Sequence, residues 1–196
     1  TNGTLLNDDW CKFFKDNNIL IGISIDGPEH CHDVYRTNKG GRCTFKQVMK
    51  GIELLQKHQT EFNTLSVINN YNVDFPLEIY HFFKDIGSHY MQFSPIVERI
   101  RVNEAPSGLK LMAPDDGDEY VIAPWTVDAR KFGKFYIEIF DEWVRRDVGK
   151  YFIQIFDSTL ANTVGEQPGS CIYAETCGHA SVMEFNGDVY SCDHYV

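Results

Sequence analysis

The sequence predicts an α/β fold built on a parallel sheet, and three observations carry that prediction. Ile19 to Ile25 (ILIGISI) is a short, almost continuous apolar run bounded by Asn18 and by Asp26-Gly27-Pro28, which is how a strand buried on both faces reads. Two further strand-like runs follow, Phe62 to Ile68 and Tyr90 to Ser94. Between successive runs lies a stretch with apolar residues at helical spacing. Strand, helix, strand, helix, strand at these distances makes a βαβαβ unit, whose strands run parallel and whose crossovers are right-handed.

Taken in order, Asn7 to Asn17 carries Leu6, Trp10, Phe13 and Phe14 at helical spacing, with Asn7 placed to cap the helix. Asp26-Gly27-Pro28 ends the first strand and opens a polar loop that runs to Arg42. Thr44 to His58 is helical, with Phe45, Val48, Met49, Ile52 and Leu55 in one stripe. After the second strand, Asn69-Asn70-Tyr71-Asn72 is a loop. Pro76 suits the next helix start, where its missing N–H costs nothing, and Leu77, Ile79, Tyr80, Phe83 and Ile86 continue that helix to Gly87.

Residues 98–125 mix charge, Gly and Pro without a period, and a loop of that length is usually functional or disordered. Asp128 to Val148 is the longest amphipathic helix, with Phe132, Phe135, Tyr136, Ile139, Phe140 and Trp143 on its apolar side. Asp128 at its start and Arg145 and Arg146 at its end all suit the helix dipole. Such an aromatic stripe reads as core. Tyr151 to Ala161 is a further strand or helix, and Gly165 to Gly169 is a hinge into a cysteine-bearing stretch.

Bulk composition narrows the function classes. With 43% hydrophobic residues the chain can bury a core, yet no apolar run approaches the roughly 18 residues that span a bilayer. A formal charge of −10 argues against nucleic acid, because phosphate binding needs a basic face. Six cysteines over 196 residues are too sparse for a disulfide-stapled scaffold, so the expected setting is the reducing cytoplasm. Cys11, Cys31 and Cys43 are scattered and read as ordinary thiols.

Parallel sheets gather ligands beyond the carboxyl ends of their strands. Those ends are Ser24/Asp26, Asn69/Asn70 and Pro95/Val97. Read from chemistry alone, Ser24 is a turn hydroxyl, Asp26 before Gly-Pro an Asx-type turn former, and Arg36 a solvated charge. His30 and His32 have no third ligand at sensible spacing and do not make a metal site.

The final stretch, GSCIYAETCGHASVMEFNGDVYSCDHYV from Gly169, is organised differently. Asn186-Gly187 between two β-prone runs signals a hairpin, which would bring Cys177 before it and Cys192 after it toward one point. Cys171 lies one short loop upstream. The spacing C-x5-C-x14-C matches neither a zinc finger nor a ferredoxin run. Metal or iron–sulfur ligation, a disulfide with a spare thiol, and plain buried cysteines all stay open on chemistry alone.

These residues carry a resemblance. The ending C-x5-C-G…V-x-E-x-x-G-D-V-Y-x-C-D-H-Y-V resembles the start of the SPASM domain of anaerobic sulfatase-maturating enzymes, members of the radical S-adenosylmethionine (SAM) group. Thr1-Asn2-Gly3-Thr4, the run Ile23-Ser24-Ile25-Asp26-Gly27-Pro28 with Tyr35-Arg36 after it, Phe62-Asn63 and Gln92-Phe93 resemble the same family. The resemblance therefore covers the whole chain. It implies the later half of a partial parallel (β/α) barrel, the radical SAM core, over 1–165, followed by the start of a SPASM auxiliary-cluster domain over 166–196.

The resemblance also implies roles. Cys171, Cys177 and Cys192 would ligate a [4Fe–4S] cluster, and Asp193 would be the catalytic proton acceptor. Ser24, Arg36 and Val97 would contact S-adenosyl-L-methionine, with Arg36 on its carboxylate; the family more often has leucine where Val97 stands. The activity implied is oxidation of a sulfatase serine or cysteine to Cα-formylglycine. The partners implied are a sulfatase polypeptide and an electron donor such as flavodoxin or ferredoxin, with no nucleic acid and no membrane.

Two parts of the family pattern are missing. The chain has neither the C-x3-C-x2-C motif of the SAM-cleaving cluster nor the Gly-Gly-Glu-Pro segment. The expectation is an internal fragment, inert alone, whose exposed sheet edges invite dimerisation. Two rival readings stand beside this one. One is another SPASM peptide modifier, such as a thioether-forming maturase, and the other is a non-catalytic module in which the three cysteines hold zinc.

Overall fold

The computed structural model describes residues 1–101, 120–176 and 181–192. It divides into two compact units, Thr1–Tyr151 and Phe152–Val196, so the expected boundary at 165/166 falls inside the second.

The first unit is built on three parallel strands, β1 (Ile21–Ser24), β2 (Phe62–Ile68) and β3 (Tyr90–Pro95), in the spatial order β1-β2-β3. Ile21 pairs with Phe62 and Ser24 with Leu65, while Leu65 pairs with Gln92 and Ile68 with Pro95. Helix α1 (Asp8–Asp16) precedes β1; α2 (Glu29–His32) and α3 (Phe45–Lys57) connect β1 to β2; α4 (Pro76–Asp85) connects β2 to β3. The mixed α/β class and the parallel sheet are as the periodicity predicts.

The strands are not buried on both faces. Burial along β2 alternates strictly, and β1 alternates in the same way. Ile21, Ile23, Thr64, Ser66, Met91 and Phe93 lie on the buried face, where Phe93 stacks on Phe83 of α4. Gly22, Ser24, Asn63, Leu65, Gln92 and Ser94 share the other, partly exposed face. Residue type misleads here because small polar residues stand on both faces, Thr64 and Ser66 on the buried one and Ser24 and Ser94 on the open one.

Local signals fix the helix starts. The Asn7 side chain accepts from the Trp10 amide at 2.9 Å, and Asp128 accepts from the amides of Arg130 and Lys131 at 3.0 and 2.9 Å. Each bond satisfies a donor that has no partner within its helix. Asp128 caps α5 (Ala129–Arg146), whose Phe135, Ile139 and Trp143 are buried; Phe140 is 42% exposed and lies against Trp143. In α1 the expected apolar stripe is not the buried one. Trp10 and Phe13 are 52% and 50% exposed and pack on each other and on Phe14, whereas Cys11 is fully buried.

The polar loop after β1 contains α2 and a bridge between Thr37 and Cys43. Within the irregular stretch, β4 (Arg99–Arg101) pairs antiparallel with β5 (Tyr120–Ile122); the residues between them lie outside those described.

In the second unit, β6 (Phe152–Ile153) leads directly into α6 (Gln154–Thr163), so Tyr151 to Ala161 holds both a strand and a helix. Strands β7 (Val182–Met183) and β8 (Val189–Tyr190) pair antiparallel, with Val182 opposite Tyr190. Their connection differs from a two-residue turn. The Gly187 amide donates to Glu184 O at 3.0 Å, Glu184 N to Asp188 O at 2.9 Å, and only Gly187 of the turn has positive φ, +92°. A longer turn with one left-handed glycine closes the hairpin and leaves Asn186 in an ordinary conformation.

Candidate functional site

Asp26 organises the strand ends of the first unit. Main-chain pairing of β1 with β2 continues to Ile25 N, which donates to Leu65 O at 3.1 Å. At the next step the Asp26 carboxylate takes over, Oδ1 accepting from Val67 N at 2.8 Å. From β2's side, Asn72 Nδ2 donates to Val67 O at 2.8 Å and to Asp26 O at 3.3 Å. Side chains thus complete the ladder where the two strands diverge, and Asp26, Asn69 and Asn72 are all buried.

The same carboxylate holds Arg36. Nε donates to Oδ2 at 2.5 Å and Nη2 to Oδ1 at 2.9 Å, a two-point fork between planar groups. Asp26 is 3% exposed, and the Arg36 side chain keeps about a quarter of its surface open. Arg36 is therefore not a solvated charge. Its other guanidinium hydrogens, on Nη1 and on Nη2, have no partner among the described residues.

His32, fully buried, closes the arrangement from behind. Its Nδ1 faces the Asp26 amide at 3.3 Å and its Nε2 faces Thr44 Oγ1 at 3.1 Å. Thr44 in turn donates its hydroxyl to Arg36 O at 2.7 Å. Burial pushes the His32 imidazole below its ordinary value, so it is neutral at pH 7. Burial likewise raises the Cys31 thiol to about 12, which leaves it protonated and inert.

Read from the residues alone, Arg36 is a solvated charge and Asp26 a turn former, and only the family resemblance singles out Arg36. Both miss His32, Thr44 and Asn72. The available signal is compositional, a concentration of polar residues at the ends of two apolar strands.

The remaining predicted residues fall as follows. Ser24 ends β1, and its amide donates to Thr1 O at 2.9 Å. The Thr1 amine donates to Gly22 O at 2.8 Å, so Thr1 lies along the β1 edge in the hydrogen-bond pattern of a parallel neighbour. Val97, just past β3, is 69% exposed. On the face that Ser24 shares, Asn63 Oδ1 is buried without a partner among the described residues. Cys171 sits exposed in a short 3₁₀ turn, Cys171–Tyr173, and Cys192 is buried just after β8. Cys177 and Asp193 lie outside the described residues. No cluster of three metal-ligating groups occurs among the described residues.

A parallel α/β sheet with a charged fork and polar side chains at its strand ends defines a class of protein, the α/β folds whose ligand sites characteristically lie beyond the strand ends. No protein-family model matches the sequence. The chain is 57% identical over all of its 196 residues to a serine-type anaerobic sulfatase-maturating enzyme of Bacteroides thetaiotaomicron, and covers 47% of that protein. It is 33% identical to a cysteine-type anaerobic sulfatase-maturating enzyme of Clostridium novyi, covering 49% of it. Among solved structures it resembles polyhistidine-tagged anSMEcpe with bound AdoMet, with a TM-score of 0.80 and 29% identity over all of this chain and 48% of that one. A further structure, native anSMEcpe with bound AdoMet and Cp18Cys peptide, gives a TM-score of 0.76 at 26% identity, over all of this chain and 50% of that one.

The chain is thus homologous from end to end to the anaerobic sulfatase-maturating enzymes. It spans about half the length of the curated relatives it matches. Among the described residues no helix is long and apolar enough to cross a membrane.

Proposed function

We propose that the protein containing this chain matures sulfatases, oxidising a serine or cysteine of the sulfatase polypeptide to Cα-formylglycine by radical SAM chemistry. The observation that carries this reading is the 57% identity over the whole chain to an enzyme of that name. The residues of the first unit fit SAM. Apart from Leu65 and Val67 the open sheet face carries small or polar residues, it holds a buried oxygen of Asn63 without a partner among the described residues, and a guanidinium with unused N–H groups stands at its end.

In this reading Arg36 holds the SAM carboxylate, Ser24 bonds the ligand from the end of β1, and Val97 offers an apolar or main-chain contact to the adenosyl group. Cys171, Cys177 and Cys192 supply thiolates to a [4Fe–4S] cluster, the soft donors that iron–sulfur sites use. Asp193 accepts the side-chain proton of the target serine or cysteine, and a base must stand within about 3 Å of the proton it takes. SAM, once reductively cleaved at a cluster, supplies the 5′-deoxyadenosyl radical that removes hydrogen from the target Cβ. That cleavage would take one electron from a donor such as flavodoxin or ferredoxin, and the electron released when the target is oxidised would be taken up by the auxiliary cluster that Cys171, Cys177 and Cys192 would hold.

The test is anaerobic assay of the complete protein with iron, sulfide, SAM, a low-potential reductant and a sulfatase peptide. Formylglycine is read by mass spectrometry and 5′-deoxyadenosine by chromatography. Both products form if the reading is right. A thioether crosslink in place of formylglycine identifies the rival peptide modifier, and a colourless zinc-loaded protein identifies the structural module.

A further inference from the structure

The hydrogen bonds around Arg36 form a closed ring, and proton counting fixes how it is wired. Arg36 donates to the Asp26 carboxylate. Thr44 has a single hydroxyl hydrogen, and at 2.7 Å it is spent on Arg36 O. The Thr44 oxygen must then accept from His32, which places the imidazole hydrogen on Nε2. His32 Nδ1 is left with a lone pair, which accepts the Asp26 amide hydrogen. Each group in the circuit thus has one consistent role, and the loop returns to Asp26.

Resting on the reading of Arg36 as a SAM ligand, we propose that His32 is a positioning residue: as the neutral Nε2–H tautomer it closes the ring Asp26–Arg36–Thr44–His32 and fixes the direction of the guanidinium's unused N–H groups. Without the ring, Arg36 keeps its charge pair with Asp26 and the bond from its amide to His32 O at 3.1 Å, but loses the Thr44 hydroxyl that holds its carbonyl. An arginine side chain has many rotamers, and a ligand that must freeze them loses affinity. The ring freezes them beforehand. His32 itself touches no ligand and acts only through Asp26 and Thr44.

Two measurements on the complete protein test this. SAM affinity is read by titration calorimetry for wild type, His32→Asn, Thr44→Val and Arg36→Ala, and for His32→Asn combined with Arg36→Ala. His32→Asn keeps an acceptor for the Asp26 amide but cannot reach Thr44; Thr44→Val removes the link without changing shape. Each is expected to weaken SAM by about fivefold to tenfold, the worth of roughly one hydrogen bond. In the Arg36→Ala background, His32→Asn is expected to change nothing further. An equal loss in both backgrounds would mean that His32 merely supports the fold, and would overturn the proposal.

The second measurement is long-range ¹H–¹⁵N NMR of His32, with exchange rates of the Arg36 Nε hydrogen. The Nε2–H tautomer is expected, with slow Arg36 exchange that Thr44→Val accelerates. A hydrogen on Nδ1 overturns the ring. If Arg36→Ala leaves SAM affinity unchanged, the assignment of Arg36 to SAM fails, and the positioning role toward SAM fails with it. The NMR result still decides whether the ring exists.

Discussion

The carbonyl oxygen of Gly3 occupies the place where a side chain on residue 51 would begin. A Cβ built on Gly51 would lie well under 3 Å from that oxygen, and the neighbour is main chain, which cannot swing aside. Gly3 itself has φ of +71°, so the turn at the start of the chain is fixed on both sides of the contact. Gly51→Ala in α3 should gain about 1 kcal/mol of helix propensity and lose about 1–3 kcal/mol to overpacking. Net destabilisation follows, read as a lower urea midpoint. A midpoint equal to or above wild type would show that the turn yields.

Between α4 and α5, the buried Tyr80 hydroxyl donates to Asp147 Oδ2 at 2.7 Å, and Lys84 Nζ reaches the same oxygen at 2.7 Å. Tyr80→Phe leaves Asp147 still paired and should cost about 1.5 kcal/mol. Asp147→Ala leaves the buried hydroxyl without its acceptor and Lys84 with only the longer pair to Glu142 Oε1 at 4.0 Å, and should cost about 3 kcal/mol. Urea denaturation measures both, and equal costs would show that the lysine finds another partner.

Asp147 also shapes the acid response. Burial alone would raise its carboxyl, but the hydrogen bonds from Lys84 and Tyr80 outweigh burial and hold it below the usual carboxylate range. The folded state therefore binds fewer protons there than the unfolded state. Its contribution is present above the ordinary carboxylate value and is lost as pH falls through the lowered one. Asp147→Asn should flatten the acid arm of a stability–pH curve.

His32 has the same sign for a different reason. Burial lowers its value first; Asp26 and Asp33 oppose that, and Arg36 adds to it. The unfolded chain thus takes up this proton before the folded one does. Stability should fall as pH drops below about 6.5, by at most about 1.4 kcal/mol per pH unit. Replacing His32 with Gln should remove that slope between pH 6.5 and the lowered value. A slope that survives the substitution would place the titration elsewhere.

The cysteine assignment predicts a separation among thiols. After anaerobic reconstitution of the complete protein with iron and sulfide, Cys171→Ser and Cys192→Ser should each lower the iron bound per chain. Cys43→Ser should not, since Cys43 lies in the Thr37–Cys43 bridge of the first unit and is not among the proposed ligands. Equal iron in all three variants would remove Cys171 and Cys192 from the ligand set.

Much of the fold is legible in the sequence because it is local. Asn7 and Asp128 cap their helices through amides two or three residues on, a distance that a sequence shows directly. The helical periods of α3 and α5 are equally visible. Faces are harder to read. Trp10 and Phe13 look like core residues yet are half exposed, and Ile19 to Ile25 looks buried on both sides yet alternates. An apolar residue reports that it can be buried, and only its neighbours decide whether it is.

By itself, the sequence determined the alternation of the three parallel strands with their helices, the caps Asn7 and Asp128, and the polar residues gathered where the strands end. It did so because those features arise from contacts a few residues long. Only the tertiary structure decided that Arg36 forks onto Asp26, ten residues away, and that the same carboxylate completes the β1–β2 ladder at Val67, forty-one residues away. Hydrogen bonds and charge pairs depend on distance through space, and folding alone brings those atoms within reach of one another.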